Sequence, residues 1–261
     1  MKRVKLLCII ALLCITTQSS WAQITLAAWT FTNASADWGT SPTPPTATGS
    51  GVTVVGLTRG PGVTILNTAA AAAWGGNGFF DNVAAASQTA DGAITLGNYF
   101  TFAITATAGN ALSLSGIGAY NIRRSGTGPA LFKWQYSLNG TSFTDIGGDI
   151  NPGTTATGAG NPQSAITLSS IPALQNIPSG TTVTFRIVVW NCGNQTGNFY
   201  FNSGGSDPTL TLNGTISSTP LPLTLISFKG QSENNINVLN WVTVNEENVA
   251  AFELERGTNG Y

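Results

Sequence analysis

The chain has 261 residues, and charged side chains make up only 8% of them, against roughly 25% in an ordinary globular protein. Beyond residue 22, seven basic side chains stand against eleven acidic ones, a net charge of −4; the basic footprint that nucleic-acid binding requires is missing. The chain contains no histidine, which excludes Ser-His-Asp and Cys-His nucleophile activation and histidine-ligated zinc.

The N-terminus opens with Lys2, Arg3 and Lys5, followed by an apolar run over residues 6–15 and then Ser20-Trp21-Ala22. A positive segment, a short apolar segment and small residues at the two positions a signal peptidase reads predict an export signal over residues 1–22. Cleavage after Ala22 would leave Gln23 as the first mature residue. The apolar run is too short to span a bilayer comfortably, and no later segment has 18 consecutive apolar residues. No membrane span is therefore expected after signal cleavage, and the expected location is extracellular or at the cell surface. Cys8 and Cys14 leave with the signal, so Cys192 stands alone and no intramolecular disulfide is expected.

Downstream, apolar and polar residues alternate as half-buried strands require. The clearest case is residues 131–138. Phe132, Trp134, Tyr136 and Leu138 share one face, and Lys133, Gln135 and Ser137 the other. Asn139-Gly140 follows, a turn dipeptide that tolerates positive φ, and Phe143 and Ile146 lie in the returning strand. Phe100, Phe102 and Ile104 alternate with Thr101 and Ala103. Val183, Phe185, Ile187 and Val189 alternate with Thr184 and Arg186, and Leu210 and Leu212 with Thr209 and Thr211. Weaker strands are expected at 24–32, 52–58, 111–122, 165–169 and 198–202.

Three stretches break the pattern. Residues 41–51 (SPTPPTATGSG) hold prolines that cannot donate to a central ladder. Residues 67–90, Ala-rich around Trp74-Gly75-Gly76-Asn77, read as a long surface loop with room for a short helix; residues 151–163 read as another loop. Short strands with Gly, Asn and Pro punctuation predict an all-β fold: an antiparallel, jelly-roll-like β-sandwich over residues 23–217, with a closed barrel as the alternative. Residues 218–222 read as a linker and 223–261 as a second, incomplete unit.

That second unit carries L-P-L-x-L-x-x-F from Leu221, V-L-N-W from Val238, N-E-E-N from Asn245 and F-E-L-E-R from Phe252. It resembles the opening strands of the fibronectin-III-like module that precedes the C-terminal sorting signal in many secreted Bacteroidetes proteins. The resemblance implies a truncated fibronectin-III-like sandwich and export by the type IX secretion pathway. Residues 137–140 (SLNG), 177–187 (IPSGTTVTFRI) and 210–215 (LTLNGT) are similar to N-terminal β-sandwich modules of other surface-sorted Bacteroidetes proteins. They bring no catalytic residue with them.

A glycan hydrolase needs two carboxylates across a cleft. The main unit offers only aspartates, most beside Gly, Asn or Pro, where turns are their usual role. Asp145 and Asp149 flank Ile146-Gly147-Gly148 and are expected to approach each other, which makes them the candidate calcium ligands. No other cofactor is expected. Arg123-Arg124 reads as a solvated strand end or as a contact for an anion such as a uronate, since arginine matches carboxylates in bidentate geometry. Aromatic residues supply the remaining candidates, because a sugar's C–H face packs on a ring while amides fix its hydroxyls. Trp74 with Asn77 and Asp81 is expected in the long loop. Trp190 with Asn191 shares a face with Arg186 rather than Phe185, so it is expected to be exposed. Trp38, beside Asp37, is a third candidate, and core packing is the competing role for each. The residues leave two readings level: a non-catalytic binding or adhesion module for an extracellular glycan or surface protein, and a spacer module of a larger surface protein. A hydrolase lacks an identifiable site.

Overall fold

The computed structural model describes residues 23–32, 37–66, 71–153, 160–202, 209–218, 224–233 and 236–244. The predicted export signal and the strand expected around Phe252 lie outside them. In chain order the strands are β1 (Ile24–Trp29), β2 (Ala47–Thr48), β3 (Val52–Arg59), β4 (Ala73–Gly76), β5 (Tyr99–Ala106), β6 (Asn110–Ile117) and β7 (Tyr120–Arg124). They continue as β8 (Leu131–Ser137), β9 (Thr144–Ile150), β10 (Asn161–Gln163), β11 (Ile166–Thr167), β12 (Ile177–Pro178), β13 (Thr182–Trp190), β14 (Phe199–Asn202) and β15 (Leu210–Ser218). A hairpin of β16 (Thr224–Glu233) and β17 (Ile236–Val244) follows, and among the described residues one α-helix, α1 (Ala90–Leu96), lies between β4 and β5. Among the described residues no helix is long and apolar enough to cross a membrane.

The fold is an all-β antiparallel sandwich, as the alternation predicts, and not a barrel. One layer is the sheet β3-β5-β13-β8-β9. The other is built from two sheets, β11-β6-β15-β1-β2 and β10-β7-β14-β4. Here β6 leads into β7 across Gly118-Ala119, and β10 into β11 across Ser164-Ala165. The jelly-roll-like feature is the way the chain passes between layers, from β5 to β6, from β7 to β8 and from β13 to β14. Ring contacts across the interior define the core. Trp29 meets Phe102 at 5.1 Å, Trp74 meets Phe100 at 5.0 Å, and Phe132 meets Phe199 at 5.5 Å between centroids. Large aromatic rings carry the most apolar area per residue, so this cluster contributes much of the burial free energy.

The β8–β9 hairpin shows how local sequence sets this geometry. Phe132 and Trp134 are fully buried, as their face requires. Asn139 Oδ1 accepts from the amides of Thr141 and Ser142 at 3.0 and 2.8 Å, and Gly140 takes φ +75°. The inward stripe ends earlier than expected: Leu138 is exposed, because it lies beyond the last paired residue. The Pro-rich stretch supplies β2, at the end of its sheet, and an isolated bridge from Thr43 to Leu57; its prolines, Pro42, Pro44 and Pro45, lie outside both, as their missing donors require. The expected strand over 111–122 is divided into β6 and β7 at Gly118-Ala119. In β16–β17, Phe228 is opposite Trp241 and both are exposed, at 52% and 41%.

Candidate functional site

Trp74 does not lie in a surface loop. It belongs to β4, which pairs with β14, and all four β4 residues are buried. Three contacts close over its ring. Its Nε1 donates to Thr40 O at 2.8 Å, Arg59 lies 4.8 Å from the ring centroid, and Phe100 packs edge-on. The guanidinium of Arg59 donates to the carbonyls of Gly75, Trp38, Gly39 and Thr40. It thereby staples residues 38–40 over β4, and burial lowers its pKa to about 10 despite the charge of Asp37. Trp38 is buried too, edge-on to Tyr200 at 5.3 Å.

The remaining residues of that candidate cluster are also drawn into the fold, although Asn77 Nδ2 is buried without a hydrogen-bond partner. Asn77 is fully buried and its Oδ1 accepts from Thr64 Oγ1 at 2.8 Å and Leu66 N at 2.9 Å. Asp81 closes a turn by accepting from Val83 N at 3.2 Å. Trp190 points to the outer face of its sheet, as its parity predicts, but it is only 4% exposed. Helix α1 covers it. Thr89 caps that helix by accepting from Gly92 N, and Ala90, Ala93 and Ile94 lie in the apolar cluster with Val188 and Trp190. Asn191 adopts φ +62°, and its carbonyl accepts from Ala130 N at 3.0 Å. None of the three tryptophans offers a free ring face. Cys192 is buried, with Sγ directed at the carbonyls of Thr127 and Asn194, and burial pushes its thiol pKa up.

Asp145 and Asp149 do converge, but on Lys133. Its Nζ lies 3.0 Å from Asp145 Oδ2 and 3.1 Å from Asp149 Oδ1. The lysine occupies the position where a shared cation would sit. Among the described residues no group of three or more acidic or cysteine side chains is placed to hold a metal. Asp145 Oδ1 also accepts from Gln135 Nε2 at 2.6 Å. That bond, with the Lys133 ammonium, holds the Asp145 carboxyl below its usual range against the opposing effect of burial. A carboxylate held ionised is unsuited to donate a proton as a general acid.

The row continues across the sheet. Gln135 Oε1 accepts from Arg186 Nε at 2.8 Å, and the Arg186 guanidinium lies 3.7 Å from the Phe143 ring centroid and 5.5 Å from that of Tyr99. Strand pairing dictates this alignment, with Arg186 opposite Gln135 and Gln135 opposite Asp145.

Beside this row an open cleft of about 470 Å³ separates edge strand β9 from edge strands β10 and β11. Asp149, Gly147 and Gly148 form one wall, Gln163, Ser164 and Thr167 the other, and Tyr120 lies at its base. Four residue steps along β9, Ile146 to Ile150, span the same ladder interval as two along β8, Phe132 to Trp134. Gly147-Gly148 therefore bulges outward. Gly147 takes φ +72°, and no atom lies within 4 Å of a Cβ built on either glycine. Bulges of this kind interrupt a sheet edge and open space beside it. Sequence reading identified Asp145 and Asp149 but missed Lys133, Gln135, Arg186 and the Gly-Gly wall. The period-2 parity of Lys133, Gln135 and Arg186 was the signal that placed them on one face.

No family model, no curated protein and no solved structure matches this chain.

Proposed function

We propose that the chain is a non-catalytic binding module of an exported, extracellular or cell-surface protein, and that it contacts a glycan at the β9–β10–β11 cleft and the adjoining polar row. The cleft carries this reading: it is open, lined by Ile146, Ile150 and Ile166 together with Asp149, Ser164 and Thr167, and bounded by backbone that a ligand can approach closely at Gly147-Gly148. Its volume lies within the range of small-ligand sites, and its mixed apolar and polar lining suits the apolar faces and hydroxyls of a sugar. The cleft takes the place of Trp74 and Trp190 as the expected contact, since those rings are occupied by the core.

Affinity-gel electrophoresis of the purified chain against a polysaccharide panel tests the reading. Retardation by one glycan class, weakened by Asp149→Ala and Thr167→Ala, supports it. Absence of retardation across the panel would favour the spacer reading, which the burial of the tryptophans also suits.

A further inference from the structure

We propose that Arg186 is a carboxylate receptor, and that the ligand of this face is a uronate-bearing acidic polysaccharide. The proposal rests on the binding-module reading above and names its ligand class. Arg186 lies on β13, the central strand of its sheet, and is half-buried. Its guanidinium is fixed on three sides: Nε by Gln135 Oε1 at 2.8 Å, and the plane by Phe143 at 3.7 Å and Tyr99 at 5.5 Å.

Among the described residues, neither terminal amino group of Arg186 has a hydrogen-bond acceptor, and no carboxylate forms an ion pair with it. Asp145, the carboxylate across the row, is instead engaged by Lys133 and by the Gln135 amide. Gln135 thus directs its oxygen to the arginine and its nitrogen to the aspartate, so the two charges attract each other across the amide without direct contact. The result is an oriented fork with its donating edge unused. Such a fork matches a planar carboxylate through two parallel N–H···O bonds. Little ordering of the side chain remains to be done on binding.

The surroundings select among oxyanions. Arg186 and Lys133 balance Asp145 and Asp149, so the row is neutral before a ligand arrives. A dianionic phosphate would be repelled by the two aspartates. A sugar acid brings a single negative charge for Arg186 and hydroxyl donors for the half-exposed Asp145 carboxylate. The net negative charge of the chain gives no long-range attraction to polyanions, so binding must be local and bidentate.

The test is gel retardation of the full chain by polygalacturonate, by its methyl ester and by a neutral glucan. Wild type, Arg186→Gln and Arg186→Lys are compared, each first shown to unfold cooperatively. The expected result is retardation by polygalacturonate, lost on methyl esterification and weakened by about tenfold or more in both variants, since lysine keeps the charge but not the fork. Equal retardation of wild type and Arg186→Gln would overturn the carboxylate assignment. Retardation by the neutral glucan, abolished by Asp149→Ala, would overturn it while leaving the cleft reading intact; no retardation by any of the three overturns the uronate ligand. Broadening or shift of the Arg186 Nε–Hε NMR signal by free galacturonate supports the receptor independently of the cleft, and an unmoved signal contradicts it.

Discussion

Trp134 Nε1 donates to the Tyr120 hydroxyl at 2.7 Å inside the core. Trp134 belongs to β8 and Tyr120 to β7, so one hydrogen bond ties the two layers together beneath the cleft. Tyr120→Phe leaves the indole N–H buried without its partner. The expected loss is about 1–3 kcal/mol, read as a lower urea midpoint at unchanged slope.

The burial of Tyr120 also sets an alkaline limit. Burial raises the Tyr120 pKa above the ordinary phenol value of 10.0, and the Trp134 bond only partly offsets it. In the unfolded chain the phenol ionises near that ordinary value, while the native state retains its proton. Stability is therefore fully present below this pH and falls as pH rises above it. Urea midpoints from pH ~8 to ~11 should decline at the alkaline end. Tyr120→Phe should flatten the decline, and an unchanged slope would count against the assignment.

Arg59 holds residues 38–40 over Trp74 with four backbone carbonyls as acceptors. Arg59→Ala strands those carbonyls and removes the cation above the ring. It should cost about 2–4 kcal/mol, with Trp74 becoming accessible to a fluorescence quencher.

Trp190 fills the space between β13 and α1 and lies 5.8 Å from Lys133 Nζ, ring centroid to nitrogen. Trp190→Ala should destabilise by about 3–5 kcal/mol through the cavity it leaves. Trp190→Phe should retain any glycan affinity. Loss of affinity in a stably folded Trp190→Phe would restore the ring to the ligand face.

The β16–β17 hairpin exposes Leu225, Ile226, Phe228 and Trp241. A two-stranded sheet without a packed face is marginal in water. Limited proteolysis should cut within residues 223–261 before it cuts within 24–217. Equal resistance of the two parts would contradict this.

Much of the sandwich was legible because its strands are half-buried and alternate cleanly. Val183, Phe185, Ile187 and Val189 face inward as their parity predicts, and all are buried. Strand β4 was not legible, since Ala73-Trp74-Gly75-Gly76 is covered on both sides and a doubly buried strand shows no alternation. For Trp190 the parity was right and the exposure wrong. Its cover comes from α1, whose Thr89 cap ends the Ala-rich stretch read as a loop with room for a short helix, and whose body and terminal Gly97 lie just beyond that stretch, where no element was expected. The proximity of Asp145 and Asp149 was readable from their spacing. Lys133 between them was not, because cross-strand register decides that contact.

The most direct measurement compares glycan retardation of the wild-type chain with that of Gly148→Tyr and Val55→Tyr. Gly148 lines the cleft, has open space around its Cβ and lies outside the left-handed φ region, so a tyrosine there blocks the cleft without backbone strain. Val55, 59% exposed on the opposite edge strand β3, serves as the control. The expected result is retardation of wild type and Val55→Tyr by one glycan class, with Gly148→Tyr migrating freely. Undiminished retardation of a folded Gly148→Tyr would place the ligand elsewhere and contradict the cleft as the binding site.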